Sequence, residues 1–548
     1  MSPVVQHSLH ALPLQLTPTL SLLLLLLLLL LLLILLLLYT VVATSLASGN
    51  NLLPPSPWRL PFIGNLHQLA GPLPHRSLRR LSARHGPLML LRLGRVPTLV
   101  VSSAAAAREV LQTQDAIFAG RPSLKVPSQL LYGCTDVAFA PHGDYWRHAR
   151  KACVRHLLSP KQVCSYRLTR EQEVHHMIQS ITHHQNSPSS YVVPAPPSSS
   201  SDHGVAMIIN LSEVLSSFAK DVVGRIVLGR CTRDDEGWSH AVDVLVEECN
   251  ELLGRFHVGD YFPFLAWWGS INGLDKRVRE AFTRIDGILE EVVAGRRREV
   301  MSGNNNGGCF VDVLLGLHNY DRTRGGEGEG EFSFSKDNIK ALLEDLFGAG
   351  TDSTIIVLEW AIAELIRNNK AMERLQNELR GSIHNTKTMI KEDDLIKMSY
   401  LKAVIKETMR LHPPGPLLVP RELMQSTQLH GYNIHSKTRV IINAWAICRD
   451  PESWANPKEF RPERFIGSSL DFRGRDFELI PFGAGRRICP GINFAVLIVE
   501  LALANLVYCF DWRLPEGMTS EEIDMDEAPG ITSRKRVSLC LAATPRSY

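Results

Sequence analysis

Residues 22–38 are leucine throughout apart from Ile34, and Tyr39 to Ala43 extend the apolar run. Water cannot solvate such a segment, so it constrains the fold of everything that follows. As an α-helix, residues 22–43 extend roughly 33 Å, enough to cross a hydrocarbon layer of about 30 Å. Each central leucine favours insertion by about half a kcal/mol, roughly 8 kcal/mol over the run. No Lys or Arg precedes it; the first is Arg59, followed by Arg76, Arg79 and Arg80. The positive-inside rule then sets the body in the cytosol and the amino-terminal tail in the lumen. The expected organisation is a short lumenal tail (1–21), a transmembrane signal anchor (22–43), a proline-rich hinge (44–66) and one body (67–548). A cleaved secretory signal is the competing reading, with Ala43 to Ser48 as its small-residue site. Its apolar core would be unusually long, and its basic leading region is missing.

The hinge holds Pro54-Pro55-Ser56-Pro57-Trp58-Arg59-Leu60-Pro61. Prolines fix φ, so this stretch reads as a semi-rigid spacer. A formal charge of +3 over 548 residues is too small for a nucleic-acid binder, and no basic run interleaves with aromatics. Among the ten cysteines no two are separated by only two residues, so zinc-ribbon, ferredoxin and thioredoxin spacings are absent. Scattered thiols suit a reducing, cytosol-facing compartment.

The body has no internal repeat. Helical periodicity is clearest in 337–366, 369–380, 399–411 and 490–508, and short strand-like runs occur at 88–93, 97–101 and 438–443. Residues 186–201, 302–308 and 322–330 are low in complexity and read as surface loops. A mainly α fold with small β-sheets follows.

One stretch carries chemistry: Pro481-Phe482-Gly483-Ala484-Gly485-Arg486-Arg487-Ile488-Cys489-Pro490-Gly491. Its glycines let the backbone turn tightly and approach a flat ligand. Pro490 and Gly491 open an apolar periodic segment, which sets Cys489 just before a helix amino terminus, where the dipole favours a thiolate. Arg487 can meet an anionic group on the same ligand. At every fixed position this stretch resembles the cysteine-loop signature of the cytochrome P450 family, Phe-x-x-Gly-x-Arg-x-Cys-x-Gly. The resemblance implies the cytochrome P450 fold and a haem-thiolate catalytic domain. Its cofactor would be haem b (iron protoporphyrin IX), with Cys489 as axial iron ligand and Phe482 and Arg487 in the cofactor site.

Other matches follow in the family's order. Glu407-Thr408-Met409-Arg410 resembles the Glu-x-x-Arg motif, and Pro462-Glu463-Arg464-Phe465 the later arginine motif. Glu407 and Arg410 share a helix face and can pair, with Arg464 closing an ion network that braces the core. Trp146-Arg147-His148-Ala149-Arg150 looks like the family's Trp-x-x-x-Arg segment. By resemblance Trp146 and Arg150 contact haem propionates, with Arg421 a further candidate. Arg147 and Lys151 read either as a solvated basic face or as a landing site for an acidic electron donor.

Ala349-Gly350-Thr351-Asp352-Ser353-Thr354 breaks the local rules of a helix interior, where glycine and adjacent hydroxyls are poor choices. It resembles the family's oxygen-activating helix, in which an acid and an alcohol relay protons to dioxygen. Asp352 matches the acid. Ser353 departs from the usual threonine: it keeps the hydroxyl but loses the methyl that restricts its rotamers. Helical geometry turns Thr354 about 100° away, so it is no substitute. The proline hinge, Phe118-Ala119-Gly120-Arg121-Pro122 and Cys489-Pro490-Gly491 look like the plant microsomal clan.

The resemblance therefore implies a monooxygenase of the endoplasmic reticulum membrane, using O2 and electrons from NADPH. The chain lacks a Gly-x-Gly-x-x-Gly dinucleotide fingerprint, so its electrons are expected from NADPH–cytochrome P450 reductase. Substrate contacts are expected from 121–140, 341–349, Leu417 to Val419 and Pro529 to Thr532. The apolar Leu417, Leu418 and Val419 favour a small hydrophobic metabolite, terpenoid or indole-like. Two rivals remain. One is a haem-thiolate isomerase or dehydratase that needs no reductase, against which the Asp352–Ser353 pair argues. The other is a non-catalytic haem carrier ligated by histidines such as His175, His176, His183 or His184, although these paired histidines read better as a solvated helix face.

Overall fold

The leucine run forms a helix, α1 (Leu22–Leu35), whose apolar side chains are all exposed. At about 1.5 Å per residue its described part extends roughly 21 Å, short of a full crossing. In the computed structural model the described residues are 22–35, 52–184, 192–193, 208–234, 236–302, 308–323, 334–381 and 388–546. The expected lumenal tail, residues 36–51, and most of the three low-complexity segments lie outside them. Inside the first of those segments, Val192–Val193 is a strand.

Residues 52–66, expected as a spacer, are tied to the body. Leu90 N–H donates to Pro55 C=O (2.9 Å), Asn433 N–H to Leu52 C=O (2.7 Å) and Asn65 N–H to Arg92 C=O (2.7 Å). These bonds lay the proline segment along the edge of a four-stranded sheet. Its strands are β1 (Leu88–Leu93), β2 (Val96–Val101), β3 (Arg421–Glu422) and β4 (Arg439–Ile442), in the order β1-β2-β4-β3. β1 and β2 are antiparallel, β2 and β4 run parallel from the Thr98↔Arg439 pair, and β3 closes the sheet with Arg421 opposite Val440. That register turns the Arg421 side chain into the interior. A second sheet joins Val192–Val193, Ile208–Asn210, Cys540–Pro545 and Phe510–Arg513 in that order.

Helices make the rest: α2 (Asp144–Ala152), α3 (Arg167–His184), α4 (Leu211–Val227), α5 (Leu274–Met301), α6 (Lys336–Arg367), α7 (Asn369–Gly381), α8 (Ser399–Leu411) and α9 (Ile492–Cys509). The four helices read from periodicity are α6 to α9, within two residues at each end. A reciprocal cap starts α6: the Ser335 hydroxyl accepts from Asn338 N–H (3.1 Å), and Asn338 Oδ1 accepts from Ser335 N–H (2.9 Å). α6 runs unbroken through Gly348 and Gly350, each of which costs about 1 kcal/mol relative to alanine. Packing does not require glycine at 350: a Cβ there would meet Val223 of α4 at 3.4 Å, an ordinary contact. α9 is apolar on all sides and accordingly buried. α6 and α9 are long and apolar enough to cross a membrane, yet both are largely buried inside the body, as core helices are. α6 packs on α4, α5, α8 and α9, with Thr351, Asp352 and Thr354 of the segment 349–354 buried.

Candidate active site

Gly483 and Gly485 both take φ +69, a left-handed conformation that side chains resist. At Gly485 the space is closed as well: a Cβ there would lie 2.0 Å from the Leu111 carbonyl oxygen. These glycines fold the loop back on itself. Ile488 N–H donates to Gly485 C=O and Cys489 N–H to Phe482 C=O, both 3.0 Å. α9 begins at Ile492 with Gly491 as its N-cap, so Pro490 precedes the helix and is not in its first turn. The local reason is that the chain leaves Cys489 in a turn before entering the helix. Burial pushes the Cys489 thiol up from its ordinary range, while the Gly491 N–H and the Arg150 charge pull it down. The helix start alone therefore does not make the thiolate expected from sequence; a bound cation is what deprotonates such a sulfur.

Basic side chains converge on this loop. Arg487 donates to the carbonyls of Ala119 (3.0 Å) and Ala140 (2.7 Å) and lies 4.1 Å from the Trp146 ring centre. Arg150 Nη2 donates to Ile488 C=O (2.6 Å) and Arg421 Nη2 to Ala484 C=O (3.2 Å). Arg121, not singled out for this site from sequence, donates to Ala138 (2.7 Å) and Pro420 (2.8 Å). Trp146 Nε1 is engaged with Val137 C=O (3.1 Å), so the indole supports the arginines with its ring and has no free donor. Burial lowers all four guanidinium groups, Arg421 to about 10 and Arg487 to about 9, and repulsion from neighbouring arginines lowers Arg121, Arg421 and Arg487 further. Asp115, 3.7 Å from Arg421 and 3.3 Å from Arg486, offsets part of this positive excess. A flat group bearing carboxylates supplies what the cluster lacks, beside a sulfur ligand. The residues fit haem.

The expected brace is present. Glu407 and Arg410 are wholly buried and paired through two bonds of 2.7 and 2.9 Å, and Arg464 Nε reaches Glu407 at 3.0 Å. Arg410 also donates to Cys448 (2.8 Å) and Pro457 (2.9 Å) carbonyls, which ties α8 to the segment leading into the cysteine loop.

Across from that loop, Ser353 and Val357 of α6 line one cavity with Met409 of α8, Phe482 of the loop and Val496 of α9. Thr354 Oγ1 also borders it but donates to Gly350 C=O (2.7 Å), which leaves Ser353 as the hydroxyl facing the space. Asp352 is buried and ion-paired through Oδ1 to Arg534, while Oδ2 has no partner. Burial raises its pKa against the pull of Arg534 and Thr532.

The cytochrome P450 family model matches residues 54–541. The chain belongs to the cytochrome P450 family. It is similar to strychnine-11-hydroxylase of Strychnos nux-vomica, 43% identical over 90% of this chain and 91% of the other. It is also similar to (+)-menthofuran synthase of Mentha piperita, 44% identical over 90% and 93%. Among solved structures it resembles a zebra fish cytochrome P450 bound to progesterone, with TM-score 0.68 and 26% identity over 86% of this chain and 99% of that one. As a P450 the protein is a monooxygenase. The other expected substrate regions surround α6: Asp345 accepts from Val137 (3.0 Å) and Ala138 (3.1 Å) N–H groups, strapping 136–139 to the helix. Leu418 Cδ1 lies 3.6 Å from where a Cβ on Gly483 would stand. His175, His176 and His183 lie on the exposed face of α3, far from a ligand's role. Asp115, Arg121, Asp345 and Arg534 were beyond the reach of local spacing, because each finds its partner only through tertiary contact.

Proposed function

We propose that this P450 is a membrane-anchored haem-thiolate monooxygenase that hydroxylates a small hydrophobic plant specialised metabolite, terpenoid or indole-like, with O2. Electrons would come from NADPH through NADPH–cytochrome P450 reductase. The observation that carries the reading is the convergence of buried arginines on the cysteine loop, directly across a cavity from Ser353. The names of the strychnine and menthofuran relatives support the substrate class.

Haem b would be held through Cys489 Sγ and, when bound, would supply reductive activation of dioxygen. The glycine turn fixes the sulfur, and Phe482 would pack against the cofactor from the cavity it lines with Ser353. Arg150, Arg421 and Arg487, the first and last stacked on Trp146, would hold the cofactor's carboxylates. Asp352 and Ser353 serve proton delivery. Asp352 Oδ2 takes up the proton while Oδ1 stays with Arg534, and the Ser353 hydroxyl passes it toward the cavity. Arg147 and Lys151, exposed on α2, receive the acidic electron donor. The exposed apolar helix α1 supports a single-pass anchor in the endoplasmic reticulum membrane, with residues 67–548 as the cytosolic catalytic domain.

Reconstitution tests this. With purified reductase and NADPH, an apolar substrate should stimulate consumption of both NADPH and O2 and yield a hydroxylated product. Rearrangement of a hydroperoxide with no reductase present, and no NADPH-dependent product, would favour the isomerase reading.

A further inference from the structure

Asp352 is paired to Arg534, and Arg534 lies in residues 531–539, a stretch that belongs to no helix or strand. Without a regular backbone ladder, such a stretch is placed by its tertiary bonds. Ser533, next to Arg534 and 1% exposed, makes three of them. Its N–H donates to Pro414 C=O (3.0 Å) and its hydroxyl to Pro413 C=O (2.6 Å). Its carbonyl accepts from Trp360 Nε1 (2.8 Å). Every polar group of Ser533 is thereby engaged.

Two of these ties lead to the residues after α8; the third leads to α6, the helix that carries Asp352. Trp360 follows Asp352 by eight residues, a rise of about 12 Å and a rotation of about 80°, so the two share one flank of the helix. Both reach the same stretch of loop: Asp352 meets Thr532 and Arg534, and Trp360 meets Ser533 and Lys535. The indole is itself held in place. It is fully buried and stacked on His412, with ring centres 3.9 Å apart and planes 5° from parallel. His412 is fixed in turn through Nε2 to Glu364 Oε1 (2.8 Å), and the Lys535 ammonium lies 4.8 Å from the indole ring centre. Because His412 directly precedes Pro413 and Pro414, the clamp closes on itself.

We propose that Trp360 is a positioning residue for proton delivery: its Nε1–H sets Ser533 and so keeps the adjacent Arg534 on Asp352 Oδ1, with Oδ2 left for the proton. An aromatic ring without a donor would fill the core at 360 equally well; the indole N–H is the part that acts beyond packing. Once that donor is gone, the Ser533 carbonyl is left buried and unpaired, a cost the loop relieves by shifting. Arg534 then leaves Asp352 for part of the time. The other charged groups around Asp352 are Glu247 and Glu359, with Lys535 beside Glu359, so no second cation takes the place of Arg534 on Asp352. This inference rests on the proposed role of Asp352 in proton delivery.

The test is Trp360→Phe in the haem-loaded full chain, which keeps an aromatic ring and removes the donor. Hydrogen exchange of the Ser533 amide should accelerate about tenfold, as for the loss of one hydrogen bond. With purified reductase, NADPH and no added substrate, peroxide released per NADPH should rise. The pH midpoint of that ratio should shift upward, because Asp352 without Arg534 holds its proton more tightly. Arg534→Gln should give the same shift, and the double variant should add nothing to it, since both changes act on one pair. Should Trp360→Phe lose its carbon monoxide band, Ser533→Ala attacks the same anchor through the bond to Pro413 and should move both readouts the same way. An unchanged midpoint overturns the proposal whatever the exchange shows, as do shifts that add in the double variant, the mark of a merely loosened core. Asp352→Asn separates this from the parent reading. If it leaves the ratio unchanged, proton delivery by Asp352 falls; if it raises the ratio and Trp360→Phe does not, this inference alone falls.

Discussion

The two oxygens of Asp352 differ: one is paired with Arg534, and the other is buried without a hydrogen-bond partner. Its replacement by asparagine keeps the shape and removes the titration. Asp352→Asn should therefore cut product formation about 100-fold, within the range of general acid–base catalysis, and raise peroxide release per NADPH. Ser353→Ala should raise peroxide release too, while Ser353→Thr should improve coupling by restricting the hydroxyl's rotamer. Unchanged yields in both Asp352→Asn and Ser353→Ala would remove these residues from proton delivery. Burial has a second consequence at Glu344 and Asp136, both pushed up to about 8. An acid whose folded pKa is raised contributes stability that is full below its unfolded value, near 4, and is lost as pH rises through 8. The melting temperature should fall between pH 5 and pH 8, and Glu344→Gln should flatten that slope. An unchanged slope in the variant would assign the dependence to other groups. Local motifs, read with the family resemblance, pointed to Cys489, Arg487 and the Glu407–Arg410 pair, because each motif is set by neighbours a few positions away. They were silent on Arg534, which reaches Asp352 across 182 positions.

The cysteine loop works as a unit, and its two left-handed glycines are unequal. At Gly485 an added methyl collides with backbone at 2.0 Å; at Gly483 it meets only the flexible end of Leu418 at 3.6 Å. Gly485→Ala should abolish haem retention, whereas Gly483→Ala should cost about 1 kcal/mol of backbone strain and keep the cofactor. Equal haem content in the two variants, measured per chain, would contradict this account of the turn. α6 to α9 were legible because their apolar stripes or all-round apolarity mark them. α3 was not among the clear cases: fully buried Arg170 and Glu173 on its inner face are satisfied by ion pairs with Glu392, Arg225 and Arg233, and they blur the periodicity. β3 is two residues long, too short for any alternation to show, yet it sets Arg421.

At the scale of the whole chain, the hinge is part of the body from Leu52 onward. Deleting residues 1–51 should release the protein from membranes and leave its melting temperature unchanged. Deleting residues 1–66 should also remove the bonds to Leu90, Asn433 and Arg92, each worth about 1 kcal/mol, and lower the melting temperature. Equal melting temperatures for the two truncations would mean that the docked segment contributes nothing. The central claim remains the bond from Cys489 to iron, and a carbon monoxide difference spectrum of the reduced microsomal protein addresses it directly. A thiolate-bound iron should give a strongly red-shifted band in the wild type, lost in Cys489→Ala; an unshifted, histidine-like band in the wild type would contradict the account.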